Sequence, residues 1–265
     1  MKKLRPVIKC HGGKNFLKWW LLSFFPLNYE QFPYYETHGG AGNIILNKKP
    51  GTKDVYNELD VGLFNIFWCL KNCTKEFISK VKEISYTEEV FLEHQYKPTI
   101  RYNLNSAISE LIQRRMSRGG LGENFSWSER LRGGEPGDAH AWNTFKIELV
   151  HIAERLKNID VMNCDGTDLI KSIKDSSDII YCDPPYLHST RVARQTYEVE
   201  MSEQDHINLA KTLLASPCRV LLSGYDNELY QDFFKDWRCE KQLIVNHSGQ
   251  NKKKQMRQEC LWLNF

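Results

Sequence analysis

Asp183, Pro184, Pro185 and Tyr186 are consecutive residues whose types suit chemistry on a planar amine. The Asp183 carboxylate and the Pro184 carbonyl can both accept hydrogen bonds from an exocyclic amino group, and Tyr186 can stack on the attached ring. Accepting from the amine keeps electron density on nitrogen as it attacks an electrophile, which favours the transition state over the ground state. Two adjacent prolines fix φ and remove two backbone donors, so the loop is stiff and its carbonyls join no ladder. Directly upstream, Ile179-Ile180-Tyr181-Cys182 is a short apolar run of β-favouring residues. It predicts a buried strand that delivers the loop at its carboxyl end, where open α/β sheets place their chemistry.

Three further stretches could hold a ligand. In Lys9-Cys10-His11-Gly12-Gly13-Lys14, the glycines allow close backbone approach. The spacing then predicts a helix with Phe16, Leu17, Trp20, Leu21 and Phe24 on one face and Pro26 as its stop, its N-terminus suited to a carboxylate. Tyr34 to Glu36 read as the end of a first strand, Gly39, Gly40 and Gly42 as a glycine-rich turn, and Ile44-Ile45-Leu46 as the start of a helix. That is the nucleotide-cofactor position of a doubly wound fold, and a dehydrogenase would use the same glycines. His38 in this turn reads as a local hydrogen-bonding residue rather than a base. Asp54 to Glu58 read as a second strand ending in an acid, able to accept from both ribose hydroxyls; Asp60 is the neighbouring candidate.

Composition bounds the rest. The 265 residues, 41% of them hydrophobic, suit one α/β domain with or without an insertion. A net charge of +3, from 36 Lys+Arg against 33 Asp+Glu, requires any nucleic-acid surface to be local. The eight cysteines form no CxxC pair, which argues against a metal site and suggests a reducing, cytoplasmic setting. The N-terminus has no signal-peptide core, and no apolar run approaches the roughly 20 residues that span a bilayer.

Between the second strand and about His140 the character changes. Leu63, Phe64, Phe67, Trp68 and Leu70 predict an amphipathic helix running toward Ile84. Arginines then interleave with glycines and Trp127: Arg114, Arg115 and Arg118, then Arg130 and Arg132. Such a loop suits phosphate neutralisation and base contact, and is equally compatible with a surface loop of scattered charge. A helix over Trp142 to Lys157 follows, with Leu149, Ile152, Ala153 and Leu156 as its stripe. Val161 to Asp165 read as a strand ending in a carboxylate, with Asp165 also suited to cap a helix. Arg191 and Arg194 give the segment beside the central loop a basic character suited to phosphate contact. Ser202 with Asp205 resembles a capping box opening a helix with His206, Leu209, Ala210, Leu213 and Leu214 inward. Arg219 to Ser223 predict a strand; Leu243 to Val245 and Cys260 to Leu263 predict a closing antiparallel pair. Lys252 and Lys253 lie between them, in a solvated turn or against DNA backbone.

Asp183-Pro184-Pro185-Tyr186, with Gly12-Gly13-Lys14 and, more loosely, Glu36 to Gly42, resembles the bacterial and phage DNA adenine methylases of the D12 class. Cys10 stands where the family has tryptophan, so ring stacking is not carried over there; Thr37 and His38 replace Pro and Phe. The resemblance implies a Rossmann-like class I methyltransferase with a seven-stranded, mostly parallel sheet. It divides the chain into a cofactor-binding half (1–60), an inserted, mainly helical target-recognition region (61–141) and a catalytic half (142–265). It implies S-adenosylmethionine-dependent methylation of adenine N6 in double-stranded DNA, with Asp183, Pro184, Pro185 and Tyr186 as catalytic residues. Cys10, Gly12, Gly13, Lys14, Glu36, Gly39, Gly40, Gly42, Glu58, Asp165 and Asp183 are then expected at the cofactor. Asp165 is expected at its adenine end. DNA contacts are expected from Arg114, Arg115, Arg118, Arg130, Arg132, Arg191, Arg194, Lys252 and Lys253. The resemblance requires no metal and admits a cognate restriction endonuclease as partner. Two rivals stay open: methylation of another amine, in cytosine, RNA or a glutamine amide, and a non-catalytic DNA-binding protein.

Overall fold

Short β-favouring runs form the centre of the molecule. The computed structural model describes residues 3–9, 13–190, 199–245 and 256–265. Its strands are β1 (Tyr34–Glu36), β2 (Asp54–Asn57), β3 (Leu131–Arg132), β4 (Glu135–Pro136), β5 (Ile159–Met162), β6 (Ile179–Cys182), β7 (Arg219–Tyr225), β8 (Arg238–Val245) and β9 (Met256–Leu263). The helices are α1 (Lys18–Leu22), α2 (Val61–Asn72), α3 (Thr74–Glu83), α4 (Glu88–His94), α5 (Leu104–Met116), α6 (Gly137–Leu156), α7 (Gly166–Ser172), α8 (Glu203–Ala215) and α9 (Glu228–Phe233). One seven-stranded sheet has the order β5-β2-β1-β6-β7-β9-β8. Strands β5, β2, β1, β6 and β7 pair in parallel, and β9 returns antiparallel between β7 and β8. The expected Rossmann-like sheet, with its closing antiparallel pair, is therefore present.

Strand periodicity divides the core in two. Tyr34, Tyr56, Ile179, Tyr181, Leu221 and Leu261 point to one face, under α2, α3, α5 and α6. Tyr35, Val55, Ile180, Cys182, Val220 and Leu222 point to the other, packed on Leu169 and Ile170 of α7 and on Leu209 and Leu213 of α8. Helices α2, α3, α5 and α6 thus share one apolar cluster with the sheet. The expected boundary between residues 141 and 142 falls inside α6, whose buried stripe runs from Trp142 through Phe145 and Leu149 to Leu156. No helix among the described residues is long and apolar enough to cross a membrane.

Several local expectations are corrected. The helix predicted after Lys14 is only the five-residue α1; Leu17 N–H donates to the Lys14 carbonyl in a turn, and Phe16 is exposed. Ile44, Ile45 and Leu46 form turns rather than a helix. All three side chains are buried, and Asn47 bonds both main-chain groups of Leu4. The helix predicted from Val61 toward Ile84 breaks at Cys73 into α2 and α3. The capping box of Ser202 and Asp205 is present, but Leu214 of α8 is exposed.

Candidate active site

The strand order reverses between β2-β1 and β6-β7, so connections leave the carboxyl ends of β1 and β6 in opposite directions and open a crevice there. Backbone bonds fix its floor: Thr37 N–H donates to Tyr181 O at 3.1 Å, and Gly39 N–H to Asn57 O at 2.8 Å. The Asn57 amide, fully buried, donates to the carbonyls of Thr37 and Cys164 and so joins the exits of β1, β2 and β5. Position 39 must be glycine, because a Cβ there would lie 2.1 Å from the Tyr56 ring. That ring stacks on Phe67 at 4.1 Å and donates its hydroxyl to the Gly40 carbonyl.

A cavity of about 680 Å³ opens over this floor. Gly13, Lys14, Glu36, Gly39, Gly40, Glu58 and Asp165 line it together with Asp183, Pro184 and Pro185. The proline corner and the glycine turn therefore face one space. Gly42 and Tyr186 do not line it: Gly42 has φ of +67°, where a Cβ would meet the Phe67 ring, and Tyr186 is buried. Cys10 and Gly12 lie outside the described residues.

Acidic groups dominate the wall. Glu58 is partly buried, and its two oxygens accept from Gly40 N–H at 2.7 Å and Asp60 N–H at 3.0 Å. Burial pushes its carboxyl up to about 7, against the pull of those two bonds. Glu36 accepts from the Tyr34 hydroxyl and Ile45 N–H, both at 2.8 Å; burial pushes its carboxyl up to about 8. Asp60 caps α2 through Oδ1, and its Oδ2 pairs with Arg114 at 3.1 Å. Asp165 does cap α7, both bonds falling on Oδ1, while still lining the cavity. His38 bonds the Thr37 hydroxyl, and burial lowers it to about 4, so it is neutral near pH 7.

Lys14 joins the N-terminal glycine segment to the proline corner. Its Nζ lies 2.8 Å from Asp183 Oδ1 and 3.5 Å from Glu259 Oε1, and 4.7 Å from the Tyr186 ring centroid. The Asp183 contact is an ion pair without hydrogen-bond alignment. The Tyr186 hydroxyl donates to Glu259. Sequence reasoning missed Glu259, although an acid opening the apolar run Cys260-Leu261-Trp262-Leu263 was a visible signal. It also missed the wall that α8 supplies through Asp205, Asn208, Lys211 and Thr212.

The expected DNA contacts separate. Arg115 is corrected: it is buried, donates to the carbonyls of Val7 at 2.9 Å and Pro6 at 2.6 Å, and stacks on Phe145. It fastens the N-terminal segment to α5 and offers no surface to DNA. Arg114 is turned inward as well, held by Glu110 at 2.6 Å and Asp60 while lining the cavity. Arg118, Arg130 and Arg132 are exposed, the last on the β3–β4 hairpin, whose turn is Gly133-Gly134 with positive φ at both. Arg191, Arg194, Lys252 and Lys253 lie outside the described residues.

The sheet order and the crevice at the carboxyl ends of β1, β2 and β6 define a Rossmann-like methyltransferase fold. The D12 class N6 adenine-specific DNA methyltransferase profile matches residues 11–251, and the chain belongs to that family. It is 25% identical to a DNA adenine methylase of Salmonella typhi, over 89% of this chain and 86% of the relative. Over 96% of this chain it is 24% identical to the DNA adenine methylase of Escherichia coli K12, covering 94% of that protein. A DNA adenine methylase of Haemophilus influenzae is 22% identical, over 96% of this chain and 91% of its own.

Proposed function

We propose that the protein transfers a methyl group from S-adenosylmethionine to the N6 amine of adenine in double-stranded DNA, with the adenine turned out of the stack; the S–methyl bond breaks as the N–methyl bond forms, leaving S-adenosylhomocysteine and one amine proton released to solvent. One observation carries the reading: the Asp183-Pro184-Pro185 corner and the Gly39-Gly40 turn with Glu58 line the same cavity. The family's specificity and the relatives' names support adenine in DNA as the acceptor.

The residues present fit the cofactor. The cavity lies within the roughly 300–1,000 Å³ of small-ligand sites, and its acidic acceptors suit a cationic ligand rich in hydroxyls and amines. Glu58 would hold the ribose hydroxyls with the lone pairs left beside its bonds from Gly40 and Asp60; Asp60 is paired in addition with the Arg114 guanidinium. Asp165 would accept from the cofactor's adenine amine. When bound, S-adenosylmethionine supplies an electrophilic methyl on a sulfonium.

The chain's own task is orientation and charge placement. An adenine inside the duplex cannot reach the cavity, so it must leave the stack, at a cost of a few kcal/mol. Asp183 and the Pro184 carbonyl accept from its amine and orient the nitrogen lone pair into the cavity. Tyr186 supports the ring. Arg118, Arg130 and Arg132, on the inserted region, meet the duplex. Incubation with labelled cofactor and separate DNA, RNA and protein acceptors tests the reading. N6-methyladenine in duplex DNA is the expected product; label only in RNA, in protein or in cytosine would overturn it.

A further inference from the structure

Glu259 of β9 is fully enclosed, at 2% exposure, and Lys14 is nearly so, at 5%. Glu259 lies opposite Tyr225 of β7 in the antiparallel register, and Tyr225 meets Tyr186 edge-on at 4.6 Å. That register brings the Glu259 carboxylate to the back of the proline corner. There it accepts the Tyr186 hydroxyl and stands 3.5 Å from the Lys14 ammonium, which also contacts Asp183 at 2.8 Å. Both ends of the Asp183–Tyr186 loop are thereby tied to one carboxylate: Tyr186 directly, Asp183 through Lys14.

An ammonium 2.8 Å from Asp183 Oδ1, though not hydrogen-bonded to it, draws charge from the carboxylate that an incoming amine would meet. Shared between two carboxylates, the same ammonium neutralises each only in part. In so dry a setting the second carboxylate has a strong hold on it. Burial raises the Glu259 carboxyl, and Lys14 opposes that rise.

Resting on the methyl-transfer reading above, we propose that Glu259 is a positioning residue: it takes up the Lys14 ammonium as the substrate amine comes to Asp183, and it holds Tyr186 in place. Asp183 then meets the amine with its charge undivided. Glu259 itself touches neither substrate nor cofactor.

Glu259→Gln keeps an oxygen for the Tyr186 hydroxyl and removes the charge; Glu259→Asp keeps the charge on a shorter stem. Single-turnover methyl transfer is measured with DNA and S-adenosylmethionine saturating, and both dissociation constants are measured by calorimetry. The expected result is a rate about 10- to 100-fold lower for Glu259→Gln, the scale of one hydrogen bond to a charged group. Both dissociation constants stay within about twofold, and Glu259→Asp recovers much of the rate. A Glu259→Gln rate equal to wild type, or a loss confined to binding, overturns the proposal. Urea unfolding of Lys14→Met, Glu259→Gln and the double variant reads the contact without activity: the double variant is expected to be no less stable than the weaker single one. Strictly additive losses overturn the ion pair. If the wild-type protein transfers no methyl group at all, the functional reading falls and takes the positioning role with it, whatever the coupling.

Discussion

Glu58 links proton concentration to cofactor affinity. Its carboxyl is pushed up to about 7 because burial outweighs the stabilising bonds from Gly40 and Asp60. Accepting two ribose hydroxyls favours the ionised form, so protons compete with the ligand. The sign follows: affinity is full where Glu58 is already ionised and is lost as pH falls through about 7. For a carboxyl at that value in the free protein and at its ordinary value in the complex, the dissociation constant is about tenfold weaker at about pH 6 than at about pH 8. Near the midpoint, binding releases about half a proton per ligand. Calorimetry of S-adenosylmethionine binding, in buffers of different ionisation enthalpy, measures both quantities. Glu58→Gln is expected to bind more weakly and to lose this pH step. Glu36, pushed up to about 8 in the same wall, is controlled with Glu36→Gln. A Glu58→Gln variant with the wild-type pH slope would refute the assignment.

Asp183→Ala is expected to lower methyl transfer at least about 100-fold while DNA binding in a mobility-shift assay stays within about twofold. Replacing Arg118, Arg130 and Arg132 together with alanine should weaken DNA binding and flatten its salt dependence, by about 0.9 in log–log slope for each phosphate contact removed; titration against salt checks it. Arg115→Ala should cost about 3–5 kcal/mol in denaturant unfolding through its lost buried bonds to Pro6 and Val7, with the salt slope of DNA binding unchanged.

Where local chemistry decides a structure, the sequence was readable. The apolar run Ile179 to Cys182 followed by two prolines has few folds available to it, and it is a buried strand with a stiff exit. The Ser202 and Asp205 cap is equally local. Ile44 to Leu46 misled because an apolar triplet carries no periodicity, and here a buried turn claims it. Arg114 and Arg115 look alike as a basic pair, yet neighbours on a helix point about 100° apart. One reaches Asp60 and the other the Phe145 ring, and composition cannot tell such arginines from the exposed Arg118. Glu259 finds Lys14 only because β9 inserts antiparallel beside β7, a pairing that no local pattern encodes.

The proline corner is expected to grip the amine of an everted adenine in the cavity it shares with the glycine turn. A crystal structure with duplex DNA and a non-reactive cofactor analogue tests it most directly. The expected result is an extrahelical adenine whose N6 lies about 2.6–3.2 Å from both Asp183 and the Pro184 carbonyl, at hydrogen-bond range. An adenine still stacked in the duplex, or an N6 amine held by other groups while Asp183 stays with Lys14, would contradict it.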